Sequence, residues 1–299
     1  MFIIKNRVIF YTLSVILFVV SIFAMAKWGM NYGIDFKGGT SIEVQPNASS
    51  TVSTTVNVKE VLQGAFPEGV VRAYGEKNFL VNTHELDAAG QVAARAKIGK
   101  VLPTYEVSRL DTIGPVLGDE LKKKSVTSII LVLIAIVLFI AFAFRQVSRP
   151  VSSWKYGFAA IIALFHDVVI PMGFFAIMAH FFGGYEVDAL FVTALLVVLG
   201  FSVHDTIVVF DRVRENLNHD KDKSASHFDQ VVGRSVSETF VRSVNTSLTT
   251  VLALIAVYIW GPETTRNFSL VLIVGIIAGT YSSIFVGSAL LVTMAGKKK

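Results

Sequence analysis

Six apolar runs, each near the length needed to cross a lipid bilayer, restrict this chain to a polytopic α-helical membrane fold. They are Val8 to Ala26, Val126 to Phe144, Tyr156 to Met178, Ala189 to Phe210, Thr246 to Trp260 and Phe268 to Met294. A span takes about 20 consecutive apolar residues at 1.5 Å of rise each, and every run but the fifth meets this. The fifth reaches about 20 residues only by starting near Thr239, which draws Arg242 into or against the membrane. Composition agrees: of 299 residues, 53% are hydrophobic and 16% charged, against about 25% charged in an ordinary soluble domain. That balance excludes a soluble enzyme and a disordered tail, and the lack of Cys excludes a disulfide-stapled secreted module. The first run ends at Ala24-Met25-Ala26, which has the small-residue pattern of a leader cleavage site. Its stretch of about 19 apolar residues exceeds the usual leader core, so it is read as an uncleaved first span.

Basic residues set the expected orientation. Lys5 and Arg7 precede the first span, Arg145, Arg149 and Lys155 separate the second from the third, and Arg212, Arg214, Lys221, Lys223 and Arg234 separate the fourth from the fifth. Lys297, Lys298 and Lys299 close the chain. On the other side there is no Lys or Arg between His180 and Asp188, and only Arg266 between Trp260 and Phe268. By the positive-inside rule both termini are expected in the cytoplasm, and the long segment between the first two spans outside. The net charge of +5 therefore fits cytoplasmic loops rather than nucleic-acid binding. The expected organisation is a first transmembrane helix over 1–27, an external α+β domain over 28–124, and a five-helix bundle over 125–296. The bundle carries a cytoplasmic loop at 211–238 and ends in a basic tail at 297–299.

The external segment alternates like a strand at Thr40 to Gln45, reads as a helix at Val56 to Phe66, and suggests two strands at Val70 to Tyr74 and Phe79 to Asn82 around Gly75. A second helix over Asp87 to Leu102, with Asp87 as N-cap, and a last strand from Tyr105 to Leu110 complete the order βαββαβ. That order predicts a ferredoxin-like sandwich. The segment holds no Cys cluster, no His pair at ligand spacing and no Gly-rich phosphate loop, so it reads as a binding or moving part.

Ionisable residues inside the spans cost several kcal/mol in hydrocarbon and point to function. His166 and Asp167 sit inside the third span, with Asp167 about 20 Å from its cytoplasmic end. The fourth carries Ser202, His204, Asp205 and Thr206, and Arg242 lies near the inner end of the fifth. Asp205 and Arg242 are expected at similar depth. Protonating Asp205 would remove its charge and release Arg242, which makes the pair a candidate proton relay; a structural ion pair, or an Arg snorkelling to water, is the other reading. Ser243, Asn245, Thr246, Ser247, Thr249 and Thr250 on the fifth span, and Gly275, Gly279, Ser282 and Ser283 on the sixth, read as close-packing faces.

Three strings carry a family resemblance. Tyr32-Gly33-Ile34-Asp35-Phe36-Lys37-Gly38-Gly39-Thr40 resembles the signature opening the external domain of the SecD/SecF family. Gly200-Phe201-Ser202-Val203-His204-Asp205-Thr206-Ile207-Val208-Val209-Phe210-Asp211-Arg212 resembles a fourth span of that family, and Arg242-Ser243-Val244-Asn245-Thr246-Ser247-Leu248-Thr249-Thr250 a fifth. The resemblance implies an accessory subunit of the bacterial preprotein translocase in the inner membrane, distantly similar to resistance-nodulation-division exporters. Such a subunit pairs with SecD, associates with the SecYEG channel, and uses the proton gradient to draw the translocating polypeptide outward. It also implies that Asp205 and Arg242 are the relay and that His166, Asp167, His204 and Thr206 line a proton pathway. Gly33, Asp35, Phe36, Gly38, Gly39 and Thr40 are the signature positions. No cofactor, metal or catalytic residue is expected, since no hydrolase constellation or nucleotide motif is present. A non-transporting scaffold is the alternative. Half of a drug exporter is disfavoured because those chains carry two six-span repeats with large paired external domains.

Overall fold

The computed structural model describes residues 2–47, 57–74, 77–144, 152–182, 185–219 and 225–295. Val56, Gly75, Arg145, Arg149, Lys221, Lys223 and Lys297 to Lys299 lie outside the described residues. The elements in chain order are α1 (Phe2–Lys5), α2 (Arg7–Trp28), α3 (Ile34–Lys37), β1 (Gly39–Pro46), α4 (Val58–Ala65), β2 (Val70–Tyr74), β3 (Asn78–Thr83), α5 (Ala88–Val101) and β4 (Tyr105–Ile113). They continue with α6 (Pro115–Ala143), α7 (Ser153–Phe182), α8 (Ala189–His219), α9 (Ala225–Trp260) and α10 (Glu263–Tyr281). The last helix passes through a π-helical stretch (Ser282–Gly287) into α11 (Ser288–Ala295). The chain divides into a helical unit, Met1–Gly29, Ser128–Ile177 and Thr193–Lys299, and an α+β unit, Met30–Thr127 with Met178–Val192.

In the α+β unit, period-two alternation turns Ile42 and Val44 of β1 inward while Glu43 and Gln45 stay partly exposed. The sheet order is β2-β3-β1-β4 with every pairing antiparallel. Ile42 stands opposite Val81 on one side and Leu110 on the other, and a bulge at Glu43/Val44 shifts the β4 register. Helices α4 and α5 close the core with Leu62, Ala94 and Ile98 against Ile42, Val44, Val71 and Val81. Asp87 caps α5 by accepting from the Gly90 N–H at 2.7 Å. This is the ferredoxin-like arrangement expected from the sequence.

The start of β1 explains two adjacent glycines. Gly38 and Gly39 have φ of 74° and 123°, and a Cβ at Gly39 would stand 2.5 Å from the Thr83 carbonyl oxygen. Only glycine combines that backbone with that approach.

Six helices among the described residues are long and apolar enough to cross a membrane. In the helical unit α7, α8 and α10 with its continuation bury more than half of their apolar windows, whereas α2, α6 and α9 bury under a fifth. The inner helices meet at glycines: a Cβ on Gly275 would fall 2.3 Å from Val198, and one on Gly279 would fall 3.0 Å from Ser202. Phe144 and Tyr156 stack at 5.4 Å with Phe210 edge-on to both. Among the described residues the segment 211–238 is helical: α8 runs to His219 and α9 starts at Ala225. Val213 and Leu217 bury with Phe228, Val231, Val232 and Val236, and Arg212 joins Glu215 and Glu238, each at 2.6 Å. That apolar seam repeats at helical spacing inside a charged stretch.

Candidate functional site

Two carboxylates lie buried within the span-length helices, and helical hydroxyls serve both. Asp167, on α7, is fully buried. Its Oδ2 accepts from Ser202 of α8 at 2.5 Å and from Ser282, the first residue of the π-helical stretch, at 2.7 Å. Its Oδ1 lies 2.9 Å from Nδ1 of His166. The His166 ring is also buried, stacks on Tyr281 at 6.3 Å, and leaves Nε2 without a hydrogen-bond partner among the described residues. A neutral ring donating through Nδ1 leaves Nε2 as a free acceptor.

Asp205, on α8, is 2% exposed. Its Oδ2 accepts from Thr280 of α10 at 3.3 Å and from Ser247 of α9 at 3.4 Å, and those two hydroxyls lie 2.5 Å apart. Next to it, Thr206 bonds Ser283 at 2.8 Å, and Ser283 donates to the Ser202 carbonyl at 3.3 Å. The α10 segment from Thr280 to Ser283 therefore touches both acids and sits where α10 becomes π-helical, a local irregularity found often at functional sites.

Of the residues singled out in the sequence, Asp205, Asp167, His166 and Thr206 come into this polar seam, whereas His204 is exposed. On α9 the residue at Asp205 is Ser247. Arg242 is exposed, and among the described residues no Lys or Arg pairs with either carboxylate. Ser247, Ser282 and Ser283 are more than packing residues, since Ser247 and Ser282 bond the acids and Ser283 extends the run. Gly275 and Gly279 keep the packing role. The usable signal was hydroxyls recurring on the spans opposite buried acids. No group of three His, Cys, Asp or Glu suited to a metal ion occurs among the described residues.

The signature residues cluster in the α+β unit. Asp35 accepts from the Ala189 N–H at 2.8 Å, Gly33 donates to the Val187 carbonyl at 3.0 Å, and Phe36 is buried. Thr40 accepts from the Leu86 N–H at 2.9 Å and meets Thr112 at 2.9 Å.

A family model described as "Protein export membrane protein SecD/SecF, C-terminal" matches residues 94–297, and one for the "SecD/SecF GG Motif" matches residues 23–49. The chain belongs to the SecD/SecF family. Among SecD/SecF relatives, "Protein translocase subunit SecF" of Thermobaculum terrenum is 40% identical over 99% of this chain and 94% of its own. The Synechocystis protein of that description is 36% identical over 94% of this chain and 90% of its own. The SecDF crystal structure from Thermus thermophilus covers 97% of this chain with a TM-score of 0.83 at 30% identity, and this chain spans 38% of that one. The matched GG motif contains Gly38 and Gly39, whose backbone the β1 start requires.

Proposed function

We propose that the chain is an accessory subunit of the Sec preprotein translocase in the bacterial inner membrane, paired with SecD and associated with SecYEG. It promotes export of polypeptides with energy from the proton gradient. Both termini lie in the cytoplasm, and the segment 28–124 lies outside as the moving part. Names of relatives support the translocase role, and the Lys and Arg distribution supports the orientation.

The observation that carries the proton reading is Asp205, a buried carboxylate held by hydroxyls alone among the described residues. A carboxylate in hydrocarbon is costly as an anion. Hydroxyls donate to its ionised form and accept from its neutral form, so Asp205 keeps hydrogen bonds in both states. Arg242 is the charge partner of the ionised state, reached by a turn of α9 or a swing of its long side chain. Thr206 with Ser283, and Ser202 with Asp167 and His166, form two further polar groups beside Asp205 that line the pathway. The Ser283 hydroxyl ends on the Ser202 carbonyl, so the two are joined by packing and not by one hydroxyl chain. His204 stands at its exposed side.

Gradient-driven secretion into membrane vesicles tests this. Asp205→Asn inserts normally and loses gradient-stimulated export by at least about tenfold, the scale of losing a proton-transfer group. Arg242→Ala does the same. Wild-type export from both variants leaves the scaffold reading standing.

A further inference from the structure

The connection between α7 and α8 belongs to the α+β unit, although it lies over 60 residues beyond that unit's sheet in sequence. It is held there by a set of specific bonds. Val187 is buried, forms a parallel bridge with Tyr32, donates to the Asn31 carbonyl at 2.7 Å and accepts from Gly33 at 3.0 Å. Asn31 reaches the Tyr185 carbonyl at 3.1 Å, and Asp35 takes the first N–H of α8. At the centre, Glu186 forms an ion pair with Arg72 of β2 and accepts from Asn82 of β3 at 2.7 Å. The side chains of the pair are 21% and 13% exposed, so neither charge is well solvated. Arg72 also donates to Asn31 at 3.1 Å. A Cβ at Gly33 would stand 3.1 Å from a Glu186 carboxylate oxygen, so the strap packs closely here.

The chain itself ties the sheet to α2, through Gly29, and to α6, through Gly114. The Glu186 strap adds a hold on α8, which carries Asp205. From Ala189 to Asp205 the link is one continuous helix of about 24 Å. A rigid helix transmits a displacement of its end along its length, whereas a loose loop would absorb it.

We propose that Arg72 and Glu186 are positioning residues for export. They clamp the α7–α8 strap to the sheet, so that movement of the α+β domain and rearrangement around the buried carboxylates drive one another. The proposal rests on the proton-coupled reading above and adds the joint that reading lacks. A clamp made of one charge pair and one amide predicts a specific genetic behaviour. Removing either charge leaves the other uncompensated and weakens the hold, while exchanging them restores it.

The test uses the full chain with its translocase in vesicles and two readouts. Hydrogen exchange at the Val187 and Gly33 amides reports the joint, and gradient-stimulated export reports the coupling. Arg72→Glu, Glu186→Arg and the milder Arg72→Gln each speed exchange at both amides and lower export about tenfold, while insertion is unchanged. The double variant Arg72→Glu with Glu186→Arg recovers both readouts to within about threefold of wild type. Unchanged exchange in the single variants overturns the joint. Faster exchange with wild-type export, or a double variant that recovers neither readout, overturns its role in coupling. Asp205→Asn, measured alongside, separates the two ideas: it loses export and keeps slow exchange. If Asp205→Asn exports normally while the clamp variants fail, the joint stands and the proton reading falls.

Discussion

Gly39 and Gly64 are the same residue in opposite settings, which makes them a controlled pair. At Gly39 the positive φ and the Thr83 carbonyl at 2.5 Å from an added Cβ leave an alanine no room. At Gly64, within α4, nothing lies within 4 Å of that position. Gly39→Ala should lower stability by about 2 kcal/mol or more, the cost of a strained backbone and a backbone clash. Gly64→Ala should raise it by about 0.5–1 kcal/mol through helix propensity. Thermal melting of the detergent-purified chain checks both, and shifts of the same sign would contradict the account. Arg242 and Ser247 show a different residue-scale point. Rise along a helix gives depth, and on depth alone Arg242 and Asp205 belong together. Rotation of about 100° per residue decides facing. Ser243 and Ser247, four apart, share the buried face of α9, and Arg242 stands one step round on the exposed one. The acid positions were legible because charge in an apolar run is conspicuous. Their hydroxyl partners were not, because a serine looks alike whether it packs or bonds.

Among the elements, α8 has two acids holding its first turn. Asp188 accepts from the Phe191 N–H at 2.7 Å, and Asp35 takes the Ala189 N–H. Burial above all, with the neighbouring Asp35 charge, pushes Asp188 up to about 6 from 3.8. An acid raised on folding binds more protons in the folded chain than in the unfolded one. Its contribution is therefore fully present below about pH 4 and is lost as pH rises through about 6, and is worth on the order of 3 kcal/mol. Asp188→Asn removes that dependence. In denaturation followed from pH 4 to 7, wild type should gain on the Asn variant as pH falls, and parallel curves would rule the shift out. The sixth span carries the other lesson of this scale. Its apolar run predicts one helix, yet the path from Thr280 to Ser283 crosses into π-helical winding just where Asp205 and Asp167 are met. Apolar periodicity signals a span and is blind to one extra residue in a turn.

At the scale of the molecule, the orientation proposed from the basic residues makes a direct prediction. A reporter fused at Pro103 should read as external and one fused at Ser226 as cytoplasmic, since loop Lys and Arg set topology. The opposite pair of readings would overturn the proposed orientation. The chain also spans 38% of the SecDF to which it is similar. On α9 Arg242 and Asn245 are exposed, whereas the exposed Thr246 and Thr249 return their hydroxyls to carbonyls of their own helix.

Six spans, the βαββαβ order, the two membrane acids and the glycine pair follow from the sequence alone. Each is written in local terms: run length, alternation, a charge where apolar residues surround it, a motif of adjacent residues. The partners of those residues belong to the tertiary structure. Asp205 meets Ser247 and Thr280, Asp167 meets Ser202 and Ser282, and Glu186 joins Arg72 across 114 positions of chain. A hydrogen bond or ion pair acts over about 3 Å. Which groups come that close depends on how helices rotate and how the sheet packs, and no stretch of sequence holds that information by itself.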